Sequence, residues 1–120
     1  MNESTHSKNN PIVDLTYKFA LDVTVIASLL RRKKENDLAS QLWRAGTSIG
    51  ANVEEAQAAQ SRADFRSKMS IAAKEARETN YWLRLARDAR LLDPVQAKDI
   101  IAQIQSIMKI LTSIVKSSSN

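Results

Sequence analysis

The chain has 120 residues, 43% of them apolar, with two Gly, two Pro and no Cys; it has the size of one domain, little material for β-turns, and neither a disulfide nor a thiolate metal site. Eighteen Lys and Arg against thirteen Asp and Glu leave a formal charge of +5, which permits a polyanionic partner without requiring one. The polar opening MNESTHSKNN has no apolar signal core, and no later run approaches the ~20 apolar residues that span a bilayer, so a cytoplasmic protein with no membrane partner is expected.

Ala, Leu, Ile, Lys, Arg and Gln dominate the composition and favour helix throughout. After a polar tail over residues 1–10, Asn10-Pro11 has the form of an N-cap followed by a first-turn proline. Ile12, Leu15, Phe19, Val23, Ile26 and Leu30 then recur at three- and four-residue steps. This first helix closes at Arg31 to Lys34, where cations meet the negative end of the helix dipole, and Asn36 or Asp37 is placed to cap the next. The second helix carries the stripe Leu38, Leu42, Ala45, Ile49, Val53 and Ala56, fading through residues 57–60. Ser61 to Asp64 has the form of a capping box, and Phe65, Met69, Ala72, Ala76, Thr79, Leu83 and Ala86 give the third helix its buried face. Asp93-Pro94 ends that pattern and starts a fourth, with Ala97, Ile101, Ile104, Met108, Leu111 and Val115 inward and a frayed tail at 117–120. Short links oblige neighbours to run antiparallel, so the expected fold is an all-α, up-down-up-down four-helix bundle over residues 11–116.

The densest motif is QLWRAGTSIGANVEEAQAAQSRADFRSKMSIAAKEARETNYWLRL, residues 41–85. Its Gln41, Leu42, Arg44, Ala45, Thr47, Ser48, Ile49, Ala51, Asn52, Glu54, Glu55 and Ala56, then Ser61, Asp64 and Phe65, then Lys74, Glu75, Ala76, Glu78, Thr79, Tyr81, Trp82 and Leu83, form a QL-R-A-TSI-AN-EEA, S-DF, KEA-ET-YWL pattern. In this the chain resembles the small four-helix bundle proteins of the 23S rRNA intervening-sequence family, over roughly Phe19 to Val115. The resemblance implies a ring-shaped homo-pentamer with an RNA context. It extends to accessory proteins of reverse transcriptases in diversity-generating retroelements, which implies an adaptor that binds RNA and another protein together. The chain departs from the pattern at Gly46 and Gly50, where alanine or proline often stands.

The residues argue for self-association independently. Beside its core stripe the first helix places Val13, Tyr17, Ala20, Leu21 and Val25 on another side, the second adds Ala39, Trp43, Gly46 and Gly50, and the third adds Ile71, Trp82 and Ala89. Each glycine costs ~1 kcal/mol against alanine inside a helix, so Gly46 and Gly50 point to a close helix approach, either by another copy or within one bundle. The expected oligomer interface is therefore Val13, Tyr17, Leu21, Val25, Trp43, Gly46, Gly50, Ile71 and Trp82.

Enzyme chemistry is disfavoured. His6, in the polar tail, is the only histidine, so neither a Ser-His-Asp nor a Cys-His arrangement nor the Glu-x-x-His motif of di-iron bundles is available. Glu54, Glu55, Glu75 and Glu78 form the one carboxylate set, but Arg44, Lys74 and Arg77 offer them ordinary ion pairs. No catalytic residue, metal or cofactor is expected. Gln41, Ser48, Asn52 and Glu55 line a polar edge of the second helix, and Asn52 and Glu55 are expected to bond to the third through Glu75, Glu78 or Lys74 as a device that fixes register.

Arg66, Arg77 and Arg84 fall within about 20° of one another on an ideal helix, with Lys74 and Tyr81 close by, and Arg31, Arg32, Lys33 and Lys34 form a second cluster. An aromatic ring among cations suits RNA or DNA, while Asp64, Glu78 and Asp88 between them suit a merely solvated face. The expectation is a non-enzymatic oligomeric scaffold with weak, sequence-independent RNA or DNA binding; the competing reading is a purely protein-binding or structural oligomer.

Overall fold

The computed structural model describes residues 10–118 and consists of four helices: α1 (Pro11–Arg32), α2 (Asn36–Gln57), α3 (Arg62–Asp88) and α4 (Pro94–Ser117). The tail expected over residues 1–10, with His6, lies outside the described residues except for Asn10, as do the last two residues of the expected C-terminal tail. α4 itself continues one residue past the expected end of the domain.

Two of the four helix starts form as their sequences dictate. Ser61 Oγ accepts from the Asp64 N–H at 3.0 Å, and Asp93 Oδ2 accepts from the N–H groups of Val95 and Gln96 at 3.1 Å, ahead of Pro94. These bonds satisfy donors that a helix start otherwise leaves unpaired. The other two starts differ from expectation. Asn10 makes no cap; its Nδ2 donates instead to Gln57 Oε1 at 2.7 Å, tying the start of α1 to the end of α2. Neither Asn36 nor Asp37 caps α2, because the chain enters that helix from a turn that already fixes its direction.

That turn is a Schellman closure: Glu35 N donates to Leu30 O and Lys34 N to Arg31 O, both at 2.9 Å, with Lys34 at φ 65°. α3 ends the same way, through Leu91 N to Ala86 O, Arg90 N to Arg87 O, and Arg90 at φ 61°. The left-handed position is usually filled by glycine. Here both places are taken by cations, and both glycines lie inside α2.

Cross-helix contacts fix the chain directions. Between α1 and α2 the partners are Val23 with Gly46 and Thr16 with Gly50; between α2 and α3 they are Arg44 with Glu78 and Glu55 with Lys68. Asp22 of α1 meets Gln103 of α4, and Lys33, just past α1, meets Leu91 in the turn that leads into α4. Along α1 and α2, and along α2 and α3, the number rises on one helix as it falls on the other, so these neighbours are antiparallel, and α4 packs against α1. The centre is filled by Phe19, Ile26, Leu30, Leu42, Ile49, Met69, Leu83, Ile104 and Leu111.

The apolar register of α4 differs from the predicted stripe. Ile100 and Ile107 are buried beside Ile101 and Ile104, while Met108 and Val115 sit at the margin. Leu15, expected in the core, is 40% exposed. It borders a groove of about 380 Å³ between α1 and α4, with Lys18, Asp99, Ala102, Gln103, Ser106 and Ile107. Across this seam Gln103 Nε2 donates to both Asp22 Oδ2 at 3.1 Å and Asp99 Oδ2 at 3.0 Å, while Lys18 Nζ donates to Asp22 Oδ2 at 2.7 Å. The Lys18 hydrogen bond holds the Asp22 carboxyl below its ordinary range against the opposing effect of burial, and the bond to Asp22 raises the Lys18 ammonium.

Gly46 and Gly50 set the spacing of α1 on α2. A Cβ on Gly46 would lie 2.8 Å from Val23 Cγ1, and one on Gly50 would lie 3.3 Å from the Thr16 carbonyl oxygen. Both neighbours are fully buried, and Thr16 Oγ1 bonds back to the Ile12 and Val13 carbonyls. One buried acceptor is left over: Asn80 Oδ1 has no partner among the described residues. No helix is long and apolar enough to cross a membrane among the described residues.

Gly46→Ala should gain about 1 kcal/mol of helix propensity and lose more to overpacking against the stiff Val23, for a net destabilisation of about 1–2 kcal/mol in urea unfolding. Val23→Ala in the same chain should restore part of that loss, as a double-mutant cycle would show. For Asp22, a lowered folded pKa means stability that is fully present above the unfolded value of about 4 and is lost as pH falls through the folded value. Asp22→Asn should therefore cost on the order of a few tenths of a kcal/mol at neutral pH, the pair being solvent-screened. That difference should shrink below about pH 4 when unfolding is followed across pH.

Candidate nucleic-acid interface

α3 turns Met69, Ala72, Ala76, Thr79, Leu83 and Ala86 inward, so Arg66, Arg77 and Arg84 fall on its outer side. At 1.5 Å per residue they are spaced about 16 Å and about 10 Å along the axis. Lys74 and Tyr81 stand beside them, also exposed. Arg66, Lys74 and Arg77 form no ion pair among the described residues.

Glu75 and Glu78 of α3 face elsewhere. Arg44 of α2 donates to Glu75 Oε1 at 3.4 Å and to Glu78 Oε2, and the Trp82 indole N–H donates to Glu78 Oε2 at 3.1 Å. Asp88 pairs with Arg87 at 2.8 Å. That hydrogen bond lowers the Asp88 carboxyl and raises the Arg87 guanidinium, with the charge of Arg84 adding to the effect on Asp88. Of the acidic residues interspersed in the sequence, Glu78 is thus held across the seam, while Asp88 pairs with Arg87 and stays near the charge of Arg84.

Arg31, Arg32, Lys33 and Lys34 end α1. Lys33 Nζ donates to the Leu91 carbonyl at 2.6 Å, which brings this cluster to the bundle end where α3 terminates. The structure therefore joins the second cluster to the Arg84 end of the row and leaves Arg66 at the far end of the molecule. Arg90, in the left-handed turn after α3, belongs to the same end. Sequence reasoning passed over it, because a turn closed without glycine carries no composition signal.

The expected polar device forms differently. Asn52 Nδ2 donates to the Ser48 carbonyl of its own helix at 2.9 Å and does not reach α3. Glu55 does reach α3, through Lys68 at 4.0 Å, while Glu75 and Glu78 are held by Arg44 and not by Asn52, Glu55 or Lys74. The reason is reach: a short amide finds the carbonyl one turn back, whereas the long Arg44 side chain spans the seam. Glu54, Glu55, Asp64 and Lys68 border an open depression of about 780 Å³ at the turn from α2 to α3. No group of three or more His, Asp or Glu is arranged to hold a metal ion among the described residues.

The expected oligomer interface divides. Val13 is buried within the protomer, and Gly46 and Gly50 are covered by α1 of the same chain, so these three do not present a surface. Tyr17, Leu21 and Val25 remain 54–60% exposed along the outer line of α1, flanked by Trp43, whose indole N–H donates to Thr24 Oγ1 at 3.2 Å. Ile71 and Trp82 lie on the flank of α3 that bears Glu75 and Glu78, across α2 from this ridge.

The sequence model of one protein family, described as 23S rRNA-intervening sequence protein, matches residues 8–113. Among solved structures, the chain is similar to a protein of unknown function from the S23 ribosomal protein family of Bacteroides thetaiotaomicron. The two are 42% identical with a TM-score of 0.84, over 88% of this chain and 98% of that one. A comparison with curated proteins gave no match.

Proposed function

Because the chain belongs to the 23S rRNA-intervening sequence protein family, we propose that it is a non-enzymatic, self-associating helical scaffold that holds RNA or DNA weakly and with little sequence preference on the outer face of α3. The observation that carries this reading is the set of cations Arg66, Lys74 and Arg77 without ion-pair partners among the described residues, on a helix whose carboxylates Glu75, Glu78 and Asp88 are engaged by other groups. Such cations attract phosphate without reading bases. Self-association rests on the apolar ridge of Tyr17, Leu21 and Val25 with Trp43, each 44–60% exposed. A ring of five copies, as the family resemblance implies, would repeat the basic face around the assembly, so that weak contacts add through multivalency.

A second reading, a purely protein-binding adaptor or structural oligomer, is favoured by the same ridge if the cations merely solvate the bundle. Filter binding at low salt separates the two. Changing Arg66, Arg77 and Arg84 together to Glu should abolish most RNA and DNA retention, and each lost phosphate contact should flatten the log affinity against log salt slope by about 0.7–0.9. Equal retention by the variant would leave the protein-binding reading standing. For self-association, the wild-type chain should sediment well above 13.4 kDa, while Leu21→Glu with Val25→Glu should shift it to the monomer with helix content preserved. A dilute wild-type sample sedimenting as a monomer would exclude the scaffold.

A further inference from the structure

Tyr81 is 49% exposed beside the basic row, and its ring is held from two directions. The Trp82 ring meets it in a T-shaped arrangement, with centroids 5.0 Å apart and planes at 72°. The indole is itself tethered, because Trp82 Nε1 donates to Glu78 Oε2 at 3.1 Å and Glu78 accepts from Arg44 of α2. The phenol ring therefore rests on a side chain fixed across a helix seam, and it has little freedom to lose on binding. Over the ring lies the Arg84 guanidinium, 5.9 Å from the centroid, at the outer limit of a cation–π contact.

From this arrangement we infer that Tyr81 is a stacking platform for one unpaired base, so that the α3 face discriminates single-stranded from base-paired nucleic acid. The inference rests on the reading of that face as a phosphate-binding surface and adds the substrate class. A flat base replaces the loosely held guanidinium over the phenol ring, and Arg84, released, takes a neighbouring phosphate together with Arg77. In a duplex the base faces are hidden in the helical stack, so the ring contributes nothing and only the cations act. Selectivity of this kind is tolerant of sequence, since every base has a π-face.

Fluorescence anisotropy at low salt with three probes tests it: a 12-nucleotide oligothymidylate, an abasic strand of the same length and a 12-base-pair duplex. Wild type should bind the oligothymidylate about tenfold more tightly than the abasic strand, in line with one stacked base. Tyr81→Ala should erase that difference while leaving abasic and duplex affinities and the salt slope unchanged, and Tyr81→Phe should retain it. Equal binding of oligothymidylate and abasic strand by wild type, or an undiminished preference in Tyr81→Ala, overturns this inference alone. Failure of wild type to bind any of the three overturns it together with the phosphate-binding reading beneath it.

Discussion

Arg44 determines which side of α3 is electrically free. By crossing from α2 to take Glu75 and Glu78, it gathers the two central carboxylates of α3 into one seam and leaves Lys74 and Arg77 on the outer surface without counter-charges. An exposed ion pair contributes little to stability. Its importance here lies in the distribution of charge: without Arg44, two carboxylates would lie uncompensated within a turn of the basic row and lower its attraction for phosphate. The same contact anchors Trp82, and through it the ring of Tyr81. One guanidinium thus links the packing of two helices to the character of the face they present.

α2 serves both of its neighbours by opposite means. Toward α3 it extends a long charged side chain; toward α1 it leaves no side chain at two positions, so that Val23 and the Thr16 backbone seat against Gly46 and Gly50. Tyr17, Leu21 and Val25 turn away from the bundle. The apolar ridge lies on the side of α1 opposite the residues that meet α2, and the ridge and the basic row are carried by different helices.

Much of the bundle could be read from the chain because capping and periodicity are local. Ser61 and Asp93 act as expected, and the stripes of α2 and α3 match their buried faces apart from half-buried Leu38 and Phe65. What periodicity supplies is an angle around a helix, not the identity of what lies there. For that reason Gly46 and Gly50 were recognisable as a site of close approach, but whether their neighbour was the same chain was not. The same ambiguity put Leu15 inside and left Ile100 and Ile107 out, since α4 meets α1 along a partly open seam. The basic row was visible by spacing alone; the freedom of Lys74 and Arg77 from Glu75 and Glu78 was not, because that depends on Arg44 reaching from another helix. Asn52 was singled out as the amide in need of a partner, yet its own helix supplies one, and the amide oxygen left without a donor belongs to Asn80.

Gln103 serves two carboxylates from different helices with the two hydrogens of one nitrogen. Sliding α4 along α1 by a helical turn, about 5.4 Å, would withdraw that nitrogen from Asp22 and strip the α1 carboxylate of its neutral donor. Misaligned pairings of these two helices thus forfeit a solvent-screened polar bond, a modest preference added to the burial of Ile100, Ile104 and Ile107. The amide works as a secondary locating peg on a seam that stays partly open.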